Sequence, residues 1–127
     1  MKTVNLPRLL LIFVGISGCF SVLFGAWLAH SGQNFSDAQQ ASLATAHQYQ
    51  LIHTLALLAV LFFYQIQQHK MLLLSALLFA LGIVFFSVSI YIKILFLYTL
   101  IGKLAPIGGI AFAFAWFNLV FVGIKKS

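Results

Sequence analysis

An all-α integral membrane protein, folded as a single four-helix bundle, is what this sequence predicts, and three observations carry that prediction. The chain is 63% hydrophobic and 6% charged, whereas a soluble domain carries about 25% charged residues. It holds seven Lys or Arg but one acid, too few charges to clothe a surface that faces water, so lipid must be its solvent. Four apolar stretches reach the roughly 20 residues that a helix needs to cross the hydrocarbon, and the basic residues fall at the ends of these stretches. Lipid offers the backbone no hydrogen-bond partners, so spanning segments of this kind are helices.

The first span covers about residues 9–29. Lys2 and Arg8 ahead of an apolar run resemble a signal peptide, and Ile16-Ser17-Gly18-Cys19 resembles a lipoprotein cleavage box. The apolar run continues past Cys19 to Ala29, so an uncleaved span is expected, with Cys19 a small buried side chain. Ser17, Ser21, Gly25 and Ala29 recur every fourth residue and form a narrow stripe on one helix face. Helices in membranes associate by close packing of such small residues, and the stripe is read as packing inside one bundle.

Residues 30–45, HSGQNFSDAQQASLAT, are polar and contain the sole acid, Asp37. Ser36 followed by Asp37 and Gln39 has the form of a helix start, either of a short surface helix or of an early beginning to the second span. That span covers about residues 46–66, and only Gln67-Gln68-His69-Lys70 separates it from the third, about 71–92. These two spans are therefore antiparallel neighbours. The apolar stretch between Lys93 and Lys103 reads as the end of span three followed by an interfacial turn. The fourth span, about 106–124, opens on Pro106, whose missing N–H suits a first turn. Gly108, Gly109, Ala111, Ala113 and Ala115 follow, with Gly109 and Ala113 at the four-residue packing spacing.

Lys2, Arg8, Lys70, Lys125 and Lys126 fall on one side of such a bundle, and Lys93 and Lys103 on the other. Positive residues favour the cytoplasmic side, so both termini are expected there. Basic residues spread singly along the chain do not make a nucleic-acid footprint, which clusters them on one face; nucleic acid is not an expected partner. One cysteine excludes an internal disulfide and a multi-cysteine metal site.

The second span carries an unusual polar sector. His47, Gln50 and Thr54 share one helix face, and Tyr49 and His53 an adjacent one. His53 lies about 9 Å deeper than His47 by helical rise. His30, at the outer end of span one, is expected at the level of His47. Polar groups at such depth face the bundle interior and find partners. The plainest role for them is structural, each cross-helix bond contributing roughly 1 kcal/mol. A proton or solute path using His53 as a base is the sharper reading. A haem or metal site held by His30, His47 and His53 is a lesser alternative; with no CxxCH, no HExxH and no second acidic ligand, no metal or cofactor is expected. The same scarcity of acids denies the chain a nucleophile–base–acid set, so no catalytic residue and no enzyme activity is expected.

Four segments, FGAWLAH (24–30), YQLIHTLALL (49–58), GIVFFSVSIY (82–91) and APIGGIAFAFAW (105–116), occur in this order over nearly the whole chain. In this combination the chain resembles the YgdD/YwdK-like family of small four-span membrane proteins, a family of unknown function. The resemblance implies four helices and a bacterial inner-membrane location. It singles out His30, Tyr49, Gln50, His53, Ser89, Tyr91, Pro106, Gly108 and Gly109, and it implies no reaction. The chain departs from the family pattern at the bulky Trp27, at Ala105 before Pro106, at Val88-Ser89-Ile90-Tyr91 and at Lys93. Two functions are consistent with these readings. One is a non-enzymatic membrane protein acting through helix–helix contacts with itself or other subunits, such as an accessory subunit of a larger complex. The other is a small transporter or proton-linked channel using a His/Gln/Tyr sector between spans one and two.

Overall fold

The computed structural model describes residues 5–124. Helix α1 spans Leu6–Ser31 and ends in a short 3-10 turn, Gly32–Asn34. Helix α2 spans Asp37–Gln67. The third rod is composite: α3 (Lys70–Gly82), a π-helical segment (Ile83–Val88) and α4 (Ser89–Leu95) run on without a break. A 3-10 segment, Thr99–Leu104, leads into α5, Ala105–Ile124. The described residues contain no strand, and the four rods are each long and apolar enough to cross a membrane.

The polar loop resolves in favour of an early start to the second span. Ser36 Oγ accepts from the backbone N–H of Gln39 at 3.2 Å, and Gln39 Oε1 accepts from the N–H of Ser36 at 3.1 Å. This reciprocal cap satisfies two amides that the first turn would otherwise leave bare, and Asp37 complements the positive helix end. Ser36→Ala is expected to weaken the first turns of α2 by about 1 kcal/mol. Hydrogen exchange at the amides of residues 37–41 would read this as roughly five-fold faster opening; unchanged exchange would mean that the cap contributes nothing. At the far end of α2, Gln68 adopts a left-handed conformation (φ 58°) that stops the helix. His69 Nδ1 then accepts from Met71 N–H at 3.1 Å and caps α3. A two-residue turn of this kind makes α2 and α3 antiparallel neighbours, as the sequence leads one to expect.

The buried residues of α1 are Leu10, Val14, Ser17, Ser21 and Phe24, alternating steps of four and three. That spacing keeps one seam facing a partner, and the partner is chiefly α2. Two apolar clusters fill the bundle. One joins Leu10, Val14, Leu57, Leu72, Phe79 and Phe112 among others; the other joins Phe24, Leu43, Ala46, Tyr91 and Ile94. On α1, α2 and the third rod alike, buried polar residues lie between the two clusters: Ser17 and Ser21, then Gln50, His53 and Thr54, then Ser87; the buried Ser75 and Asn118 stand apart, beside the first cluster. The bundle is thus layered apolar–polar–apolar along its axis.

Glycine decides two close approaches. A Cβ on Gly108 would lie 2.3 Å from the backbone N of Phe86 and 2.7 Å from the carbonyl carbon of Phe85, so α5 touches the main chain of the π segment. A Cβ on Gly82 would lie 2.4 Å from the ring of Phe112.

Three sequence expectations need correction. Cys19 is exposed, not buried, because it lies two residues, roughly 200°, from both Ser17 and Ser21 on the helix. Ala29 continues the small-residue stripe of α1 but is exposed, since the seam there passes through Leu28, which packs on the second cluster, about 100° away around the helix. Ala113 is exposed and Gly109 half-buried, while Gly108, Phe112 and Ala115 form the packed seam of α5. Pro106 occupies the first turn of α5, as its chemistry requires. Arg8 and Lys70 lie at one end of the bundle and Lys93 and Lys103 at the other. Lys2, Lys125 and Lys126, which also entered the charge argument for the termini, lie outside the described residues.

Candidate functional site

The polar layer is built by side chains that a seven-residue repeat aims inward. On α2, Ala46, Gln50 and Thr54 form one row and His53 and Leu57 a second, each buried at steps of four, so the amide, the imidazole and the hydroxyl all leave the same helix toward the interior. Gln50 is the hub. Its Nε2 donates to Ser17 Oγ at 3.0 Å and to the Ser17 carbonyl at 3.2 Å. Its Oε1 accepts from the Tyr91 hydroxyl at 2.7 Å. Ser17 Oγ also meets Thr54 Oγ1 at 2.7 Å. Since Ser17 Oγ accepts from Gln50, its own proton is free to go to Thr54. One amide thereby ties α1, α2 and α4 together.

His47 closes the α1–α2 seam one layer outward. Its Nε2 lies 2.8 Å from the Ser21 carbonyl, which can only accept, so Nε2 carries the proton. A Cβ on Gly25 would lie 3.0 Å from that nitrogen; glycine leaves room for the imidazole. Ser21 Oγ donates to the Ser17 carbonyl at 2.8 Å, and Ser87 Oγ to the Ala46 carbonyl at 2.7 Å.

His53 belongs to a different neighbourhood from Gln50. Its Nδ1 lies 2.7 Å from the Tyr49 carbonyl, and Trp116 Nε1 donates to its Nε2 at 2.9 Å. A carbonyl accepts only and an indole N–H donates only. The ring is therefore held as the Nδ1–H tautomer with both nitrogens engaged. Phe112 stacks on it at 3.7 Å between ring centres, and Phe79 packs at its side. The polar sector of α2 is thus split: Gln50 and Thr54 face α1 and α4, while His53 faces α5. The expectation of one sector between spans one and two holds for Gln50, Thr54 and His47, and fails for His53.

Two further residues separate from the cluster. His30 is exposed near the end of α1, five residues beyond the Gly25 that receives His47, or about 7.5 Å along the axis. The two histidines do not meet. Tyr49 is 40% exposed and stacks on Phe86 at 4.9 Å, so its ring covers the outer rim of the layer and its carbonyl, not its hydroxyl, serves His53. Among the described residues, no group of three His, Cys, Asp or Glu could hold a metal ion.

A second polar clamp escaped the sequence reading. Asn118 Nδ2 donates to the Met71 carbonyl at 2.7 Å and to Ser75 Oγ at 2.8 Å, and Ser75 Oγ donates to the Ala115 carbonyl at 2.9 Å. This pins α3 to α5 near the end opposite the loop of Ser36. The signal was present, since Asn118 is the sole amide in an otherwise apolar span and such a group turns toward protein. The bond from Trp116 carried no such signal, because an indole in a span ordinarily marks an interface. Chemically, the arrangement holds helices together: of the buried side-chain polar atoms described, only His69 Nε2 lacks a partner.

Comparison with known proteins agrees with this architecture. Residues 24–109 match a family model described as protein of unknown function (DUF423). A UPF0382 membrane protein of Haemophilus influenzae is 34% identical over 118 residues, covering 92% of this chain and 94% of that protein. The UPF0382 inner membrane protein YgdD of Escherichia coli K12 is 34% identical over 117 residues, covering 91% and 88%. A UPF0382 membrane protein of Staphylococcus aureus is 33% identical over 119 residues, covering 93% and 97%. No solved structure matches the chain. Four membrane-length rods, a near full-length likeness to these proteins and the family match lead to one conclusion: the chain belongs to the DUF423 family and is a multi-pass protein of the bacterial inner membrane.

Proposed function

We propose that this protein acts through helix–helix contacts within the membrane, as an accessory subunit of a larger membrane complex, with both termini cytoplasmic. The observation that carries the reading is the closure of the polar layer. Gln50, His53, Thr54 and Ser17 spend their hydrogen-bonding groups on one another and on Tyr91, Trp116 and backbone carbonyls. A transport path needs polar groups that solute or water can reach, and this interior offers bonds that hold helices instead. What remains for function is the lipid-facing surface. There, Ala113 is exposed and Gly109, one turn before it, is half-buried, the spacing with which a neighbouring helix packs closely.

The test is the mass of the native particle extracted in mild detergent, with its companions identified. The expected result is a discrete particle larger than the 14.1 kDa chain that contains other membrane subunits. Ala113→Leu is expected to release them while leaving the bundle folded, because Ala113 is exposed. A lone chain that carries a flux across liposomes, abolished by His53→Leu, would sink this reading and establish the transporter in its place.

A further inference from the structure

An open groove of about 540 Å³ runs between α1 and the third rod and faces sideways to the lipid. Phe20, Phe24 and Trp27 form one wall, and Ile92, Leu95 and Phe96 the other. Its lining extends along α1 from Phe13 to Trp27, fourteen helical steps or about 21 Å. The polar groups at the floor, from Ser17, Gln50 and Tyr91, are already bonded to each other, which leaves hydrocarbon as the matching occupant.

The groove ends where the chain becomes interfacial. Beyond Leu95 the residues Phe96, Leu97, Tyr98 and Leu100 are all more than half exposed, and the lysines of this end bracket them. A Cβ on Gly102 would lie 2.8 Å from Lys93 Cδ; the Lys93 stem therefore packs against the residue that precedes Lys103, at the same end of the bundle. Asp37 is the sole acid of the chain, so the two ammonium groups are not both neutralised from within. We infer that this end and the groove together bind one anionic phospholipid, its phosphate at Lys93 and Lys103 and one acyl chain between α1 and α4. Lysines at a membrane surface attract anionic headgroups, and the apolar groove supplies the specificity of position that free surface charge lacks. The inference is independent of the helix-contact reading, which uses α5, a helix that does not line the groove.

Trp27 makes the site measurable. The chain has two tryptophans, and Trp116 lies on α5 against His53. In the Trp116→Phe background, quenching of Trp27 is followed in bilayers containing brominated phosphatidylglycerol or brominated phosphatidylcholine. Phosphatidylglycerol is expected to occupy the site on the order of tenfold more readily. The preference should fall to parity in K93Q/K103Q, and in the unsubstituted chain it should shrink as salt is raised. Trp116, read in the Trp27→Phe background, should show no preference. Equal quenching of Trp27 by both lipids, a preference that survives K93Q/K103Q, or the same preference at Trp116 would each overturn the site.

Discussion

Gly108→Ala is expected to destabilise the bundle by about 3 kcal/mol or more, while Gly109→Ala leaves it unchanged or stabilises it by up to about 1 kcal/mol. The two neighbours carry the same chemical change in the same helix, so propensity cannot separate them. Space does. The new methyl at residue 108 would fall 2.3 Å from the Phe86 nitrogen and 2.7 Å from the Phe85 carbonyl carbon, whereas at residue 109 the nearest atom, Phe86 Cδ1, is 4.0 Å away. A side chain can rotate out of a clash; main chain in a helix cannot, so α5 must move off the third rod. Because Phe112 sits against Gly82 and stacks on His53, that shift would also loosen the bond from Trp116. Unfolding in mixed micelles with increasing denaturing detergent measures both variants against the parent. Equal midpoints for the two would show that the close approach of α5 is not what the bundle depends on.

Gln50→Leu is expected to cost about 3 kcal/mol, because it strands the Tyr91 hydroxyl and removes both bonds to Ser17 in a buried layer. Tyr91→Phe is expected to cost about 1 kcal/mol, leaving Gln50 Oε1 without its donor. The double variant should cost less than the two separately, since the tyrosine hydroxyl that Gln50→Leu abandons is then absent. The same unfolding assay closes the cycle. Additive losses would mean that Tyr91 and Gln50 act separately. A Gln50→Leu chain as stable as the parent would show that the layer contributes no stability and that its polar residues serve another purpose.

The sequence alone determined the solvent, the number of rods and their order. Composition and the length of apolar runs report transfer free energy, which depends on each residue singly and needs no knowledge of neighbours. The same holds for local chemistry. The Ser36 cap, the short turn at Gln68 and His69, and Pro106 in the first turn of α5 are set within a few residues of chain. The inward aim of Gln50, Thr54 and His47 was legible too, because a helical face is a matter of spacing.

Tertiary structure decided which partner each inward side chain meets. Tyr91 and Ser17 lie 41 and 33 residues from Gln50, and Trp116 lies 63 from His53. The π segment decides part of this: its wider turn resets the phase of every later residue in the third rod, and Tyr91 follows it. The split between Gln50 and His53, the isolation of His30 and the outward turn of Ala113 all depend on the rotation of one helix about its axis relative to the next. Hydropathy barely constrains that rotation when every face is apolar. It is set by a few contacts, such as Gly108 on the Phe86 backbone and Asn118 on Ser75, that exist only once the rods are packed together.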